Sequence, residues 1–193
     1  MNEEIPLFPL NAVLFPGGPL PLRIFEARYV DLVRRCMRDG SGFGVVLIRA
    51  GQEAGGPAVT FDVGTYARIV DFCQQPDGLL GITARGERRF RIVERRQARD
   101  GLHLARVEWL PEDSRIALPD EYAELGPAVE SALDRAGDLY LSSERHPSEA
   151  AWVAARIAEM LPVPLHYKQH CLEIDDPCER LAFLRPMIAI GRA

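Results

Sequence analysis

The chain has 193 residues, of which 47% are hydrophobic and 26% charged, and its formal net charge is -5 at pH 7. This composition is ordinary for a globular protein, and disorder, collagen-like repeats and a membrane span are all poor fits to it. A chain of this length buries roughly 70% of its unfolded surface, which is enough for one large core or two small ones.

The N-terminus and the cysteines indicate a reducing compartment. Residues 1–6 are acidic where a secretory signal would be basic, and no later apolar run is long enough to cross a bilayer. The four cysteines, Cys36, Cys73, Cys171 and Cys178, form no Cys-x-x-Cys pair. The sequence therefore predicts a cytoplasmic protein without a disulfide framework.

Up to about residue 111, short β-rich runs alternate with Gly, Pro and Asp, which is typical of strands joined by turns. One helix interrupts them, because a stripe with helical spacing ends at Gly40, a common helix stop. The apolar run at residues 43–48 predicts a strand, and a glycine-rich loop follows at residues 52–57. The helical stripe consists of Phe25, Tyr29, Leu32, Val33, Cys36 and Met37.

Three longer β segments follow that loop. Residues 63–73 are apolar on both parities, as in a strand that is covered on both faces. The next strand has one apolar parity, which places Arg89 and Arg91 on the opposite face. Residues 102–110 return with one apolar side. About six antiparallel strands with one helix packed on them predict a small, partly closed barrel.

After a boundary at residues 111–119 the pattern becomes helical and indicates four helices. Asp120 is placed to cap the first, whose apolar stripe runs to Tyr140, and Ser148 is placed to cap the second. A short third helix covers about residues 165–174.

The fourth helix has the clearest start signal in the chain. Asp176 is a capping residue, Pro177 occupies the first helical position, and Glu179 is placed to reach back to the cap. The sequence thus predicts an α+β protein, with a β barrel subdomain at residues 1–111 and a helical bundle subdomain at residues 119–193.

Short motifs occur in a fixed order along nearly the whole chain. They are IPLFPL at residues 5–10, PLRIFEARY at 21–29, VGTYARI at 63–69, GERRFRI at 86–92 and KQHCLE at 168–173. In this order they resemble the Lon N-terminal domain family, the substrate-recognition domain of ATP-dependent Lon proteases, here as a free-standing bacterial version. The resemblance implies a PUA-like β pseudobarrel and a C-terminal helical bundle that bind exposed polypeptide segments without cutting them.

The catalytic parts of a Lon protease are not found in this sequence. A phosphate-binding loop ends in Gly-Lys-Ser/Thr, but the only lysine, Lys168, stands between Tyr167 and Gln169. A Ser-Lys peptidase needs a lysine beside its nucleophile, and Lys168 falls in a helical motif. We therefore predict a protein that is not an enzyme and needs no cofactor.

Two groups of polar residues are candidates for a metal site or another polar site. His166 and His170 are four residues apart on one helix face, but the sequence offers no second ligand pair at zinc-site spacing, so no metal is predicted. Glu26, Arg28 and Tyr29 at the strand-to-helix junction form a polar group, for which a structural role is favoured because no second acid or nucleophile cooperates with them.

Residues 85–99 contain seven arginines and two glutamates, whereas residues 112–150 contain ten acidic residues and three arginines. An arginine-rich hairpin on a PUA-like barrel can contact RNA phosphates. The basic stretch lacks interleaved aromatic residues and the chain is acidic overall, so ion pairing within or between protein chains is favoured over nucleic-acid binding.

The leading prediction is a non-catalytic module that binds exposed apolar polypeptide segments in a groove between barrel and helices. The alternative is an adaptor that docks on a separate ATP-dependent protease or ATPase, or that self-associates. A PUA-like RNA-binding module and a small-molecule enzyme rank lower, and no membrane partner is expected. The candidate groove residues, each of which also fits a core role, are Phe8, Phe15, Pro16, Leu20 and Tyr66.

Overall fold

The computed structural model of the protein describes residues 3–53, 58–141 and 143–190. The chain divides into two compact units, Met1–Leu110 and Pro111–Ala193. The first unit holds the β-sheet and one helix, and the second holds four helices. The fold is therefore mixed α and β, as expected. Most of the glycine-rich loop at residues 52–57 lies outside the described residues.

The strands of the first unit pair in a closed ring. The order is β1, β7, β6, β5 and β3, and β3 then pairs with β1. The β1–β3 pair is parallel, while the prediction had only antiparallel strands. The described strands are β1 (Glu3–Leu10), β2 (Pro19–Ile24), β3 (Phe43–Gly51), β4 (Ala58–Thr60), β5 (Val63–Gln74), β6 (Leu80–Gln97) and β7 (His103–Trp109).

Helix α1 (Ala27–Asp39) lies between β2 and β3 and ends at the predicted stop. Gly40 adopts a φ of 64°, a left-handed conformation that glycine reaches without strain, and its N–H bonds to the carbonyl of Cys36. Two residues of the predicted apolar stripe are not buried: Phe25 is 62% exposed and Met37 is 44% exposed. Phe25 precedes the helix, and Met37 lies beyond the buried edge of the stripe.

Strand β5 is covered on both faces only in its first half, so the prediction for residues 63–73 was wrong for the second half. Val70 and Phe72 are 48% and 59% exposed. In that half β5 pairs only with β6 among the described strands. On β6 the exposure of the face opposite the apolar residues varies along the strand, since Arg89 is buried and Arg91 is exposed.

The second unit contains shorter helices than the sequence predicted. The first predicted helix is divided into 3-10 turns at Asp120–Tyr122 and Gly137–Tyr140 on either side of an α-helix, and Gly137 has a φ of 75°. No side-chain cap forms at Asp120 or Ser148. The helices are α2 (Leu125–Arg135), α3 (Ala150–Met160), α4 (Leu165–Glu173) and α5 (Pro177–Ile190).

Ser148 does not cap α3 because the chain before that helix is extended. Leu118 N–H donates to the Ser148 carbonyl at 2.7 Å, and Ala117 forms a β-bridge with Glu149. This bridge holds Glu149 in an extended conformation, and the helix begins at Ala150.

The start of α5 confirms the predicted cap. The Asp176 Oδ1 accepts hydrogen bonds from the backbone N–H of Cys178 at 2.6 Å and of Glu179 at 3.3 Å. The helix then continues through Pro186. Within residues 3–53, 58–141 and 143–190, no helix combines the length and hydropathy needed to cross a bilayer.

Candidate functional site

A cavity of about 180 Å³ lies in the first unit, beside β2 and the start of α1. Buried apolar residues form part of its wall, and exposed residues such as Phe25 form the rest. The cavity therefore reaches from the core to the surface of this unit. Its buried lining residues are Phe8, Leu10, Ile24 and Tyr29.

Stacked aromatic rings line the inner end of the cavity. The rings of Phe8 and Tyr29 are 3.9 Å apart between centroids and nearly parallel, at 8°. Phe43 packs at 5.7 Å from Phe8 with its ring tilted by 48°. Contacts between aromatic rings add to the stability that burial of the rings already provides.

Arg28 fixes the Tyr29 ring from outside the cavity lining. Its guanidinium carbon lies 4.8 Å from the Tyr29 ring centroid, and its nitrogens contact the Glu26 carboxylate at 2.8 Å and the Gly101 carbonyl at 3.0 Å. The cation therefore joins α1 to the turn before β7. These contacts are consistent with the structural role that the sequence favours for Arg28.

The Tyr29 hydroxyl is buried and has no hydrogen-bond partner among the described residues. Tyr29 as a whole is only 4% exposed. Burial raises the pKa of its phenol, Arg28 acts against this, and the negative charges of Glu26 and Glu53 add to it. The hydroxyl therefore stays protonated at neutral pH, as a group able to donate and to accept a hydrogen bond.

The charged residues of the cavity wall are Arg23, Glu26 and Glu53. The Arg23 guanidinium forms an ion pair with Asp77, and the Glu53 carboxylate accepts a hydrogen bond from the Asn11 N–H. No basic side chain among the described residues pairs with Glu53. Glu53 thus contributes negative charge at the exposed end of the wall.

The free edge of β2 runs along the same cavity. Among the described strands β2 pairs only with β6, and the Gly86 N–H donates to the Gly18 carbonyl at 3.0 Å. Because hydrogen-bonded pairs alternate along an antiparallel ladder, the backbone groups of Pro19, Pro21 and Arg23 point away from β6. Two of these three residues lack an N–H, so the edge is a poor template for strand addition.

The structure separates the five candidate groove residues. Phe8 lines the cavity, and Leu20 is half-buried against the same core. Phe15 is 0% exposed and belongs to the core. Pro16 and Tyr66 are half-buried elsewhere, and the Tyr66 hydroxyl accepts a hydrogen bond from the Gly42 N–H at 2.6 Å.

Glu26, Tyr29 and Glu53 also line this wall. The sequence marks the first two as a polar group and favours a structural role for them, and it does not mark Glu53. The signal for the first two was their position at a strand-to-helix junction. Glu53 had no signal, because a lone carboxylate next to a glycine-rich loop is ordinary for a solvated turn.

The second unit contains a cavity of different character. Its volume is about 210 Å³, and every lining residue is apolar. None of the described residues that line it has a charged or hydrogen-bonding side chain. The lining residues are Leu125, Ala128, Val129, Ile157, Met160, Leu161 and Ile188.

Lys168 has a structural position in the second unit. Its ammonium donates to the Glu159 carbonyl at 2.7 Å and so joins α4 to the end of α3. Burial lowers the pKa of Lys168, while the charge of Glu159 acts against this.

The Glu159 carboxylate is itself buried and held by two partners. Arg156, which is 1% exposed, donates to it at 2.9 Å, and the Tyr140 hydroxyl donates at 3.3 Å. Burial raises the pKa of Glu159 to about 7, against the opposing charge of Arg156. Burial also raises the pKa of Tyr140 to about 12.

A second buried arginine is paired in the same unit. Arg180 is 1% exposed and donates two hydrogen bonds to Asp113, at 2.9 and 3.0 Å, and a third to the Ile174 carbonyl at 2.8 Å. This bidentate geometry is the strongest form of an arginine–carboxylate contact. It ties the segment before the first 3-10 turn to the start of α5.

The two histidines of α4 lie among aromatic rings. His166 is 4.3 Å from Tyr167 and His170 is 4.8 Å from Phe183, between ring centroids. Within the part of the chain that the structure describes, no three His, Cys, Asp or Glu side chains are grouped so as to hold a metal ion.

Arginines of the basic stretch contact residues of their own unit. Arg96 pairs with Glu4 at 2.6 Å, and Arg95 pairs with Asp62. The guanidinium of Arg88 lies 5.1 Å from the ring centroid of Trp109. Pairing within the chain, which the sequence favoured for this stretch, accounts for these residues.

The sequence of this chain matches a known protein family and is similar to two Lon proteases. The model of the ATP-dependent protease La (LON) substrate-binding domain matches residues 4–189. Lon protease 2 of Myxococcus xanthus is 31% identical over 96% of this chain, and the Lon protease of Anaeromyxobacter dehalogenans is 32% identical over 88%. These matches cover 23% and 21% of the two relatives, so the chain spans under a quarter of their length.

Two solved structures are similar to this one. The Lon N-terminal domain protein from Xanthomonas campestris is 40% identical, with a TM-score of 0.79 over 95% of this chain and 98% of that one. The N-terminal domain of the Mycobacterium avium complex Lon protease has a TM-score of 0.62 at 15% identity, over 96% of this chain and 98% of that one, which is a likeness of fold alone.

Proposed function

The chain belongs to the LON substrate-binding domain family, and from this premise we propose that it binds exposed apolar segments of other polypeptides without cutting them. The observation that carries the proposal is the cavity beside β2, which joins a stacked aromatic wall to the exposed ring of Phe25. Of the five candidate groove residues predicted from the sequence, Phe8 is the one that lines this cavity.

Burial of apolar surface supplies the binding free energy in this proposal. The Phe25 side chain is 62% exposed at the mouth, and covering it with a bound segment removes apolar area from water at about 25 cal/mol per Å². A rigid, preformed wall such as the Phe8–Tyr29 stack needs little ordering when a ligand arrives.

Recognition in this site uses side chains rather than strand addition. The prolines on the free edge of β2 leave a bound segment with few backbone donors to pair with. A segment that inserts an apolar residue into the cavity satisfies its own backbone with water. Such binding tolerates many sequences, as a domain that meets varied substrates requires.

The architecture that we infer for this role is a PUA-like pseudobarrel at residues 1–111 and a helical bundle at residues 119–193. The closed ring of strands in the first unit supports the pseudobarrel, and the run of α2 to α5 supports the bundle. The binding role is non-catalytic: Lys168, the only lysine, serves to join two helices.

A titration tests the proposal. A fluorescein-labelled, reduced and carboxymethylated lactalbumin, which stays unfolded, is titrated with the full chain and followed by anisotropy. We expect saturable binding without ATP, and we expect Phe25→Ser to weaken it roughly tenfold because about 1.5 kcal/mol of apolar burial is lost.

The matched control is Leu141→Ser, which changes an apolar residue that is 73% exposed in the second unit and should leave the affinity unchanged. No binding at high protein concentration, or equal affinities for the Phe25→Ser variant and the parent, contradicts the proposal. Cleavage of the labelled protein by pure material contradicts the non-catalytic role.

A further inference from the structure

Two edges of one three-stranded segment of the sheet differ in how well they can accept a further strand. In this segment β2 pairs with residues 80–85 of β6, and residues 71–74 of β5 pair with β6 on its other side. The β2 edge carries Pro19 and Pro21, whereas residues 71–74 contain no proline. Among the described strands this part of β5 has no second neighbour, so its outer edge is open.

The hydrogen-bond pattern shows which backbone groups of this edge point outward. The Gln75 N–H donates to the Leu79 carbonyl at 2.8 Å. Because hydrogen-bonded pairs alternate along an antiparallel ladder, the N–H and C=O groups of Phe72 and Gln74 point away from β6. The register shift between β5 and β6 lies before Asp71, so the ladder is regular over residues 71–74. The outward groups therefore have the spacing with which an extended strand pairs.

One side chain partly covers this edge. The Asp71 carboxylate accepts a hydrogen bond from the Phe72 N–H at 2.8 Å. Both residues are exposed, so the carbonyl of an added strand can replace the carboxylate, which then bonds to water at little cost. The side chains of Val70 and Phe72 are also exposed, and a strand added here would cover part of their apolar surface. The edge thus offers backbone pairing and apolar contact together.

The length of the edge favours an extended segment of another polypeptide over a second copy of this chain. Four residues at about 3.3 Å each span roughly 13 Å. A strip of that length would need a width of about 45 Å to bury the roughly 600 Å² per partner of even a small stable interface. An unfolded segment does not depend on this edge alone, because it can also bury apolar side chains in the cavity beside β2.

We propose that residues 71–74 of β5 form a second contact surface for polypeptide segments, at which an extended apolar segment pairs with the outward backbone groups of Phe72 and Gln74. The inference rests on the proposed polypeptide binding and adds where and how the backbone of a bound segment is held. Since the hydrogen bonds are made by backbone groups, the surface accepts many sequences. An apolar side chain of the segment lies against the Phe72 ring.

Two substitutions at one position isolate the backbone contact. Gln74→Pro removes the outward N–H, and Gln74→Ala keeps it. Because this N–H points away from β6, proline should be tolerated here as it is in β2, and thermal unfolding checks this. In anisotropy titrations with the labelled, reduced and carboxymethylated lactalbumin, we expect Gln74→Pro to bind at least fivefold more weakly than Gln74→Ala. The matched control, Gln74→Ala, should bind like the parent.

Hydrogen exchange of the parent chain tests the same contact without a substitution. Saturating lactalbumin should slow exchange of the Phe72 and Gln74 amides at least fivefold. Equal affinities of two folded Gln74 variants, or unchanged exchange at both amides, overturns the inference. Dimerisation of the parent that Gln74→Pro abolishes also overturns it, because the edge would then hold a second copy.

The two proposals fail in different ways. Binding that Phe25→Ser weakens, but that is equal in Gln74→Pro and Gln74→Ala, refutes the edge contact alone. Binding that Phe25→Ser leaves unchanged, but that Gln74→Pro weakens, refutes the role of the cavity and supports the edge contact. Absence of any binding to lactalbumin refutes both.

Discussion

Two buried arginines of the second unit and one buried tyrosine of the first unit differ in what their polar atoms contact. In the second unit the buried Arg156 and Arg180 are each paired with a carboxylate, and the cavity nearby has a wholly apolar lining. In the first unit the buried Tyr29 hydroxyl has no partner in the described chain, although Tyr29 itself lines a cavity whose wall also carries carboxylates.

This contrast separates buried polar groups that hold the fold together from a buried polar group that lowers its stability. A buried charge that already has its partner holds helices together and has little to offer a ligand. A buried hydroxyl without a partner is a local cost to stability. The predictions below test each side of the contrast, from the largest expected effect to the smallest.

Removing one member of a buried ion pair should destabilise the second unit strongly. Asp113→Ala leaves the Arg180 guanidinium, 1% exposed, without its bidentate partner, and we expect a loss of about 3–5 kcal/mol. Urea unfolding followed by Trp152 fluorescence in a Trp109→Phe background reports on this unit. Glu121→Ala removes an exposed partner of Arg185 and should cost less than about 1 kcal/mol; equal losses in the two variants would show that burial of the pair is unimportant.

The raised pKa of Glu159 should make the second unit less stable as pH rises. The folded carboxyl holds its proton up to about pH 7, whereas the unfolded one releases it near 4.5, so the folded state binds more protons in that window. The contribution of Glu159 to stability should be fully present below about pH 4.5 and fall by up to about 3 kcal/mol by pH 7.

Glu159→Gln keeps acceptors for Arg156 and Tyr140 but does not titrate. Unfolding free energies measured from pH 4 to 8 should therefore fall less steeply in this variant than in the parent. Parallel profiles for the two proteins would contradict the assignment of the slope to Glu159.

Two tyrosines of the first unit should respond to the same substitution with opposite signs. Tyr29→Phe removes an unpartnered hydroxyl and should stabilise this unit by about 1 kcal/mol. Tyr66→Phe removes the acceptor for the Gly42 N–H and should destabilise it by about 1 kcal/mol. Thermal unfolding followed by Trp109 fluorescence in a Trp152→Phe background measures both, and a loss of stability in Tyr29→Phe would mean that the hydroxyl has a partner in solution.

Local signals predicted much of the fold. Gly40 ends α1 because only a residue without a Cβ takes its backbone conformation readily, and Asp176 caps α5 because its carboxylate reaches two free N–H groups. The cap expected at Ser148 failed because a β-bridge at Glu149, formed with a residue distant in sequence, delays the helix. The prediction that residues 63–73 are covered on both faces was wrong for the second half of the strand, where β5 pairs only with β6 among the described strands.

The candidate site was less predictable than the fold. Phe8 is a buried core residue that also lines the cavity, whereas Phe15, predicted on the same grounds, is core and does not line it. Nothing in a one-dimensional pattern distinguishes two apolar residues of which one faces a cavity.

The motifs of the sequence resemble one family, and the sequence by itself determined the division into strand-rich and helix-rich halves and the ends of several helices. The halves and the helix ends depend on contacts between residues close along the chain. Only the tertiary structure decided that Phe8, Tyr29 and Glu53 line one cavity, and that the Tyr29 hydroxyl is buried without a partner among the described residues. Those facts depend on the closed ring of strands, which brings β1, α1 and the end of β3 together from distant positions, and loop closure of that kind leaves no periodic trace in the sequence.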